Sequence, residues 1–279
     1  MEIQLKTTDN LNLKGLQVLS KNSPVGVMLF VHGMGEHCAR YKHVMDFYSD
    51  KGFHCVGFDL RGHGKSDGQR GHTPSYDQLM KDLDEVVKYI QGNFPGLSIY
   101  WYAHSMGGNL SLNYFIRRQP TIKAALISAP YIRLAFDPPK WKTILGKWSA
   151  SILPTLSQPT GLDANAISRD KGVVQQYVND PLVHDKITSG FFVNVHFAGP
   201  YILENANKIN VPIYLFHGKA DQLTSFAASE ELSKLNSKIT WQPWENLFHE
   251  MHNEPEQNEV FEKQWDWLKK TCPDSFLNK

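Results

Sequence analysis

The stretch IYWYAHSMGGNLS, residues 99–111, decides how the rest of the chain is interpreted. Its first residues are apolar or aromatic and predict a buried strand. The small residues Ala103, Gly107 and Gly108 then surround a single serine, Ser105, before a helical pattern begins. The stretch therefore predicts a strand, a sharp turn with a hydroxyl at its tip, and a helix.

Short apolar runs alternate with helical patterns along most of the chain. The runs are VGVMLFV (25–31), FHCVGFD (53–59), LSIYWYA (97–103), KAALISA (123–129), VPIYLFHG (211–218) and KITWQPW (238–244). Their nearly continuous apolar character is typical of parallel strands that are covered on both faces. We therefore expect an α/β fold with a mostly parallel central sheet flanked by helices.

The alternation is interrupted between residues 131 and 195, where prolines and short helical patterns occur without a clear strand. An insertion between two strands of one sheet is the simplest explanation. We predict a core made of residues 1–130 and 196–279, and a helical cap made of residues 131–195. Such a cap would cover the carboxyl ends of the strands, where α/β folds bind ligands.

One segment of the predicted cap has an apolar face at helical spacing. The apolar side chains are Trp141, Ile144, Leu145, Trp148, Ile152 and Leu153, with lysines elsewhere on the segment. Most such faces pack on the body of their own protein. The sharper hypothesis is that this face lines an acyl channel or makes a peripheral contact with a membrane surface.

Composition and charge exclude several classes of protein. Twenty-nine Lys and Arg against 28 Asp and Glu, without a basic block, argue against a nucleic-acid partner. The N-terminal residues alternate as in a hairpin and lack the apolar centre of a signal peptide, and the apolar runs are far shorter than a membrane span.

Cys38, Cys55 and Cys272 are too widely spaced to suggest a disulfide framework or a zinc site. A soluble cytoplasmic protein without a metal is expected, and Cys38 is either a reactive thiol or an inert filler.

The arrangement around Ser105 is that of a nucleophile elbow, which requires a base and an orienting carboxylate later in the chain. Asp221 follows one predicted strand and His249 follows the next, so both are expected at the same edge of the sheet as Ser105. Asp221 alone would be explained as a helix cap and His249 as a surface histidine. Together, and in the order Ser, Asp, His, they predict a catalytic triad.

Acyl transfer by such a triad also needs donors for the oxyanion. The amide of Met106, next to Ser105, is one predicted donor, and the amide of Met34 in the loop HGMGEH is the other. The later loop GFDLRGHGKSDG contains GKS but lacks the first glycine of a P-loop, so nucleotide binding is rejected. We expect Asp59 and Arg61 of that loop to pair below the elbow.

Six segments resemble one known family closely. They are HGMGEHCARY (32–41), FDLRGHGKSDGQRGH (58–72), AHSMGG (103–108), ISRDKGVVQQYVNDPLVH (167–184), HGKADQLT (217–224) and FHEMHNE (248–254). Together they resemble the monoglyceride lipase and lysophospholipase group of α/β-hydrolases, also called serine aminopeptidase-like hydrolases. The resemblance runs from about Val25 to the final helix, and Ala103 in place of the first glycine of G-x-S-x-G is the motif departure.

The resemblance implies an α/β-hydrolase fold and the hydrolysis of monoacylglycerols or related single-chain lipid esters, with no cofactor. It assigns Ser105 as nucleophile, Asp221 as orienting residue and His249 as base. It also implies that the polar end of the substrate pocket is lined by Glu36, Arg40 and His252. Glu36 and Arg40 are four residues apart, so a surface ion pair is the competing explanation.

Other functions remain open at this point. The same triad serves lysophospholipases, short-chain esterases, thioesterases, acyltransferases and peptidases. A hydrolase-fold receptor with a vestigial site is a further alternative, although an intact Ser, Asp and His argue against it. Dehalogenase and epoxide hydrolase chemistry is disfavoured because those reactions use Asp at the elbow, where this chain has Ser105.

Overall fold

A computed structural model describes residues 1–136 and 151–276 of the chain. Eight strands form the main sheet: β1 (Glu2–Lys6), β2 (Asn12–Val18), β3 (Gly26–Val31), β4 (Phe53–Phe58), β5 (Ile99–His104), β6 (Ala124–Ser128), β9 (Ile213–Gly218) and β10 (Ile239–Trp244). Their spatial order is β1-β2-β4-β3-β5-β6-β9-β10. β1 and β2 form the predicted antiparallel hairpin, and β2 pairs antiparallel with β4. In this spatial order, every neighbouring pair from β4 onward to β10 is parallel, as the apolar runs predicted.

Helices cover both faces of this sheet. Within the described residues the α-helices are, in chain order, α1 (Lys42–Asp50), α2 (Tyr76–Asn93), α3 (Met106–Arg118), α4 (Lys171–Asn179), α5 (Ser189–Glu204), α6 (Phe226–Leu235) and α7 (Gln257–Thr271). The apolar side chains of α2, α3 and α6 pack on one face, and those of α1 and α7 pack on the other. Strand β3 shows why both faces need covering, since Val27 and Leu29 join the first core whereas Met28 and Phe30 join the second.

The segment between β6 and β9 differs in part from its sequence-based description. It contains two short antiparallel strands, β7 (Ser157–Pro159) and β8 (Lys186–Thr188), where no strand was predicted. β7 escaped prediction because it is three residues long, exposed and ends in proline. Helix α5 runs through the predicted boundary at residue 195 and reaches α3, where the Asn113 side chain donates to the carbonyl of Ala198 at 3.1 Å. The extent of the cap stays a prediction.

The predicted apolar face of the cap falls only partly within the described residues. Trp141, Ile144, Leu145 and Trp148 lie outside them. Ile152 and Leu153 are described and are 67% and 55% exposed, and Leu156 beyond them is 51% exposed. Among the helices of residues 1–136 and 151–276, none has the length and apolar character needed to cross a membrane.

The expected pairing of Asp59 with Arg61 is wrong. The guanidinium of Arg61 instead pairs with Asp82 of α2, with Nη2 at 2.7 Å from Oδ1, and with Asp9 of the N-terminal hairpin. The Asp59 carboxylate accepts from the amides of Cys38 and Lys65, both at 2.8 Å. Backbone amides supply the hydrogen bonds of the Asp59 carboxylate. The Arg61 guanidinium therefore binds Asp82 and connects the loop to α2.

Candidate active site

Ser105 occupies the turn between β5 and α3 in a strained backbone conformation. Its φ of 54° and ψ of −120° lie outside the regions that residues other than glycine usually adopt. The Ser105 amide donates to the carbonyl of Ser128 at 3.0 Å, and its carbonyl accepts from the amide of Tyr131 at 2.9 Å. Strand β6 and the residues after it therefore hold the strained turn in place.

The small residues of the elbow are required by close backbone contacts. A Cβ at Gly107 would lie 2.2 Å from the carbonyl oxygen of Val31, and one at Gly108 would lie 2.8 Å from Cβ of Pro130. Ala103 is fully buried in β5, and its methyl group packs within the core on the α3 side of the sheet. The turn therefore forms with Ala103 where the usual motif has glycine.

The structure brings together the three residues predicted as a triad. Nε2 of His249 lies 2.9 Å from Oγ of Ser105, and Nδ1 of His249 lies 2.7 Å from Oδ2 of Asp221. Asp221 follows β9 and His249 follows β10, so the parallel sheet places all three at one edge. Because an ionised carboxylate only accepts hydrogen bonds, Nδ1 carries the proton and Nε2 is free to accept one from Ser105.

The electrostatic environment favours an ionised Asp221. Burial raises the pKa of this carboxyl, but the adjacent His249 and the hydrogen bond from His217 outweigh burial and hold the pKa well below its usual value. Burial lowers the pKa of His249, whereas the Asp221 carboxylate raises it, and the net pKa is above its usual value. A proton taken up at Nε2 of His249 is therefore stabilised by the ionised Asp221.

The segments that carry the two predicted oxyanion donors lie next to Ser105. A Cβ at Gly33 would lie 3.2 Å from Cβ of Ser105, so the loop that carries Met34 lies directly against the serine. The Gly33 amide donates to Oε1 of Glu36 at 2.6 Å, which holds this loop in position. Met106 begins α3, and its amide is therefore one of the N-terminal donors that a helix cannot satisfy internally. Both assignments stay predictions, supported by this placement.

Glu36, Arg40 and His252 form a buried group behind the Gly33 loop. Nη1 of Arg40 lies 2.5 Å from Oε2 of Glu36, and the guanidinium also makes two hydrogen bonds to Glu250. The pair of Glu36 and Arg40 is therefore buried, in contrast to the surface ion pair that was the competing explanation. The His252 ring is fully buried, 4.7 Å between centroids from the ring of Tyr41.

The burial of this group bears on its predicted contact with a substrate. Glu36 is 2% exposed and His252 is 0% exposed, so neither side chain faces an open cleft in this structure. Burial lowers the pKa of His252 to about 3, which keeps the ring neutral. Substrate contact through these residues stays a prediction. Their partner Glu250 was missed, because a single acidic residue beside a loop histidine carries no distinguishing sequence pattern.

A second histidine beside the candidate triad was also missed. His217 lies near the end of β9, and its Nε2 is 2.9 Å from Oδ2 of Asp221. Its Nδ1 is 2.8 Å from Oγ of Ser229 in α6. The sequence offered one signal, since His217 is a polar residue in the otherwise apolar run VPIYLFHG, four residues before Asp221.

The question left open for Cys38 is answered by its surroundings. Cys38 is 3% exposed, and burial raises the pKa of its thiol well above the usual value. A reactive cysteine needs an accessible thiolate, so the structure favours the inert alternative.

Comparison with known proteins agrees with the fold and with the resemblance. The family model Hydrolase_4, described as serine aminopeptidase, S33, matches residues 22–256. An uncharacterized abhydrolase domain-containing protein of Dictyostelium discoideum is 31% identical over 269 residues, which cover 95% of this chain and 28% of that longer protein. A monoacylglycerol lipase of Mycolicibacterium smegmatis is 29% identical over 88% of each chain.

Solved structures agree as well. The crystal structure of the Paleococcus ferrophilus monoacylglycerol lipase superposes with a TM-score of 0.86 at 29% identity, covering 93% of this chain and 99% of that one. The α/β-hydrolase fold and the family resemblance predicted from the sequence are confirmed. The chain belongs to the Hydrolase_4 (serine aminopeptidase, S33) family of α/β-hydrolases and is an enzyme of the lipase and esterase type.

Proposed function

We propose that this enzyme hydrolyses monoacylglycerols or similar single-chain lipid esters through Ser105, His249 and Asp221. The observation that carries the proposal is the unbroken path of hydrogen bonds from Ser105 Oγ to His249 at 2.9 Å and from His249 to Asp221 at 2.7 Å. The lipid class is supported by similarity to two monoacylglycerol lipases, each 29% identical.

The first half of the proposed reaction acylates the enzyme. Nε2 of His249 takes the proton of Ser105 as Oγ bonds to the ester carbonyl carbon. The carbonyl oxygen becomes an oxyanion, which the amides of Met34 and Met106 stabilise. When the carbonyl re-forms, the bond to the alcohol breaks, and His249 returns the proton to the departing glycerol oxygen.

The second half frees the enzyme by the same groups. His249 takes a proton from water, whose oxygen attacks the acyl carbon, and the oxyanion forms again on the two amides. The bond to Ser105 then breaks and Oγ recovers a proton from His249. The proposed steps use the side chains of the triad, the two backbone amides and water.

A lipid substrate is also supported by exposed apolar side chains in the predicted cap. Ile152, Leu153 and Leu156 each expose more than half of their surface. An enzyme whose substrate resides in a bilayer gains from such side chains, because they transfer apolar surface from water into lipid. We therefore propose that this segment makes a peripheral contact with lipid.

The head group is tested with two substrates that carry the same acyl chain. Initial rates are measured on a monoacylglycerol and on a lysophosphatidylcholine, with Ser105→Ala as the blank. The proposal expects a clear preference for the glycerol ester. A preference for the lysophospholipid would make the enzyme a lysophospholipase.

Activity on neither lipid would also be informative. Short esters, thioesters and peptides are assayed next, and activity that depends on Ser105 would keep the triad while rejecting the lipid substrate. Failure of a fluorophosphonate probe to label Ser105 would favour a non-catalytic receptor and reject the proposal.

A further inference from the structure

The Asp221 carboxylate is shared by two imidazoles. Oδ2 lies 2.7 Å from Nδ1 of His249 and 2.9 Å from Nε2 of His217. The side chains of Asp221 and His217 are both completely buried. The hydrogen-bonded chain from Ser105 therefore continues through the carboxylate to His217. The reaction described above assigns no role to this residue.

The hydrogen-bond partners of His217 determine which of its nitrogens carries a proton. Asp221 accepts hydrogen bonds only, so Nε2 must be the protonated nitrogen. Nδ1 then accepts from the hydroxyl of Ser229, whose Oγ is 2.8 Å away and whose side chain is also buried. Both nitrogens are thus satisfied in a neutral ring, and the tautomer is fixed from both sides.

The two oxygens of the Asp221 carboxylate have different partners, and the imidazoles contact Oδ2. Oδ1 accepts from the amides of Leu223 and Thr224, at 2.7 and 3.1 Å. The Thr224 hydroxyl lies 2.9 Å from Oδ2 but also 3.1 Å from the carbonyl of Ala129, and its single proton serves one of them at a time. Nε2 of His217 lies 3.4 Å from Oγ1 of Thr224 and 2.9 Å from Oδ2, so Oδ2 is its closer acceptor.

We propose that His217 is a positioning residue, which holds the Asp221 carboxylate against His249 and limits the basicity of Oδ2 by donating a hydrogen bond from Nε2. The inference rests on the proposed function of the triad and adds a fourth member to it. Donation from His217 spreads the negative charge of Asp221 over two imidazoles, so that the proton gained by His249 stays on His249.

The negative charge of Asp221 determines how the loss of His217 changes the pKa of His249. Removing the donor leaves more negative charge facing Nδ1 of His249, and the protonated form of His249 becomes more stable. The pKa of His249 then rises, and a higher pH is needed to free Nε2 for Ser105.

Other titratable or charged groups surround the pair, and both variants described below leave them in place. Around His249 they are Asp221, His104, His252, Glu250, Glu36 and Arg40, and around His217 the polar groups are Asp221, Ser229 and Thr224.

The test compares His217→Phe with His217→Gln on the full chain. Phe fills the space of the ring and cannot donate, whereas Gln packs less well but carries an amide N–H near the position of Nε2. For His217→Phe we expect the acid limb of kcat/KM to move up by about 0.5–1 pH unit. We also expect kcat to fall by about 10- to 100-fold, because Oδ2 of Asp221 loses the donor that lies opposite His249 and is oriented less accurately.

For His217→Gln we expect an acid limb close to that of the wild type and a smaller loss of kcat. A purely structural role predicts the opposite order, since Phe preserves packing better than Gln. Equal effects in both variants, or a His217→Phe profile that matches the wild type, would overturn the inference.

A second measurement does not depend on variants that fold. In wild-type protein with ¹⁵N-labelled histidine, the ring nitrogens of His217 report its tautomer by NMR. The inference expects the Nε2–H tautomer at the pH at which the enzyme turns over its substrate, because Asp221 can only accept at Nε2 and Ser229 can donate at Nδ1. A neutral Nδ1–H form would overturn it, because Nε2 would then have no proton to donate to Asp221.

Ser105→Ala separates failure of this inference from failure of the proposed function. Loss of turnover in Ser105→Ala together with a wild-type profile in His217→Phe would overturn the role of His217 alone. Retention of turnover in Ser105→Ala would reject the triad, and the inference would fall with it.

Discussion

The Arg40 guanidinium and the Glu250 carboxylate meet side by side, with Nη1–Oε1 and Nη2–Oε2 distances of 2.7 Å each. Their side chains are 10% and 4% exposed. Burial raises the pKa of Glu250, but Arg40 outweighs burial and brings the pKa down to about 2. Glu250 adjoins His249, and Arg40 also pairs with Glu36, which holds the Gly33 loop. The pair thus joins the loop of the candidate base to the loop of the candidate oxyanion donor.

Removing Arg40 is expected to destabilise the fold. In Arg40→Met, two carboxylates lose their buried partner, and loss of one member of a buried pair costs about 3–5 kcal/mol in the free energy of unfolding. Urea denaturation measures the change. The control is Lys42→Met, since Lys42 pairs with Asp46 with both side chains largely exposed, and such pairs contribute at most about 1 kcal/mol. Equal losses in the two variants would contradict the buried network.

Gly107 is expected to tolerate no side chain. In Gly107→Ala the new Cβ would lie 2.2 Å from the carbonyl of Val31, so α3 must move away from β3 and carry the elbow with it. We expect a loss of ester turnover of at least about 100-fold, because small displacements at a reacting group have effects of that size. Turnover is measured together with a thermal melt.

Gly92→Ala is the matched control for this substitution. Gly92 lies in α2 with nothing within 4 Å of a Cβ built there. Alanine stabilises a helix by up to about 1 kcal/mol relative to glycine, so the melting temperature should rise slightly and turnover should not change. A loss of turnover in Gly92→Ala, or wild-type turnover in Gly107→Ala, would argue against the close approach of α3 and β3.

The acid limb of the pH profile is expected to report His249. The base must be neutral to accept the Ser105 proton, so kcat/KM rises as pH passes upward through the pKa of the free enzyme's base. Because that pKa lies above its usual value of 6.5, the midpoint of the limb should lie above 6.5. Rates on an uncharged ester from about pH 5 to 9 measure it.

Asp221→Asn extends this prediction. The substitution removes the negative charge that raises the pKa of His249 and favours the wrong tautomer of the ring, so turnover should fall by about 10⁴-fold. A wild-type midpoint below 6.5 would show that burial outweighs Asp221 in setting the pKa of His249. An Asp221→Asn variant with normal turnover would show that Asp221 does not act on His249.

The exposed cap residues are expected to contribute to lipid binding. The double substitution of Ile152 and Leu156 to Ser removes several apolar carbons, each worth about 0.8 kcal/mol when buried in lipid. We expect at least about a 10-fold weaker partition into phosphatidylcholine vesicles, measured by co-sedimentation. Leu235→Ser is the control, since Leu235 is 47% exposed but ends α6 on the core. Equal partition of all three proteins would reject membrane contact through this segment.

Much of the fold follows from local patterns. The apolar runs predict six strands, β3, β4, β5, β6, β9 and β10, because a parallel sheet covered on both faces leaves few polar positions within a strand. The elbow and the two loops after β9 and β10 are predicted because parallel strands place their carboxyl ends at one edge. The structure accordingly brings Ser105, His249 and Asp221 within hydrogen-bonding distance.

The contacts that were missed join residues far apart in sequence. Arg61 pairs with Asp82 in place of Asp59, and Arg40 reaches across 210 positions to Glu250. Such pairing depends on how loops fold over one another, and single charged residues carry no periodic signal for it. His217 could have been identified from the sequence. A polar residue at a buried strand position is almost always hydrogen-bonded, so its presence in an apolar run predicts a partner.

The central claim is that Ser105 is the nucleophile of an ester hydrolase, and turnover of a monoacylglycerol by Ser105→Ala tests it most directly. The account predicts that turnover falls by about 10⁶-fold, the loss typical of removing the nucleophile of such a triad, while the thermal melt shows an intact fold. Turnover within about 10-fold of the wild type would contradict the account, because a tenfold change in rate is far smaller than the loss of a nucleophile produces.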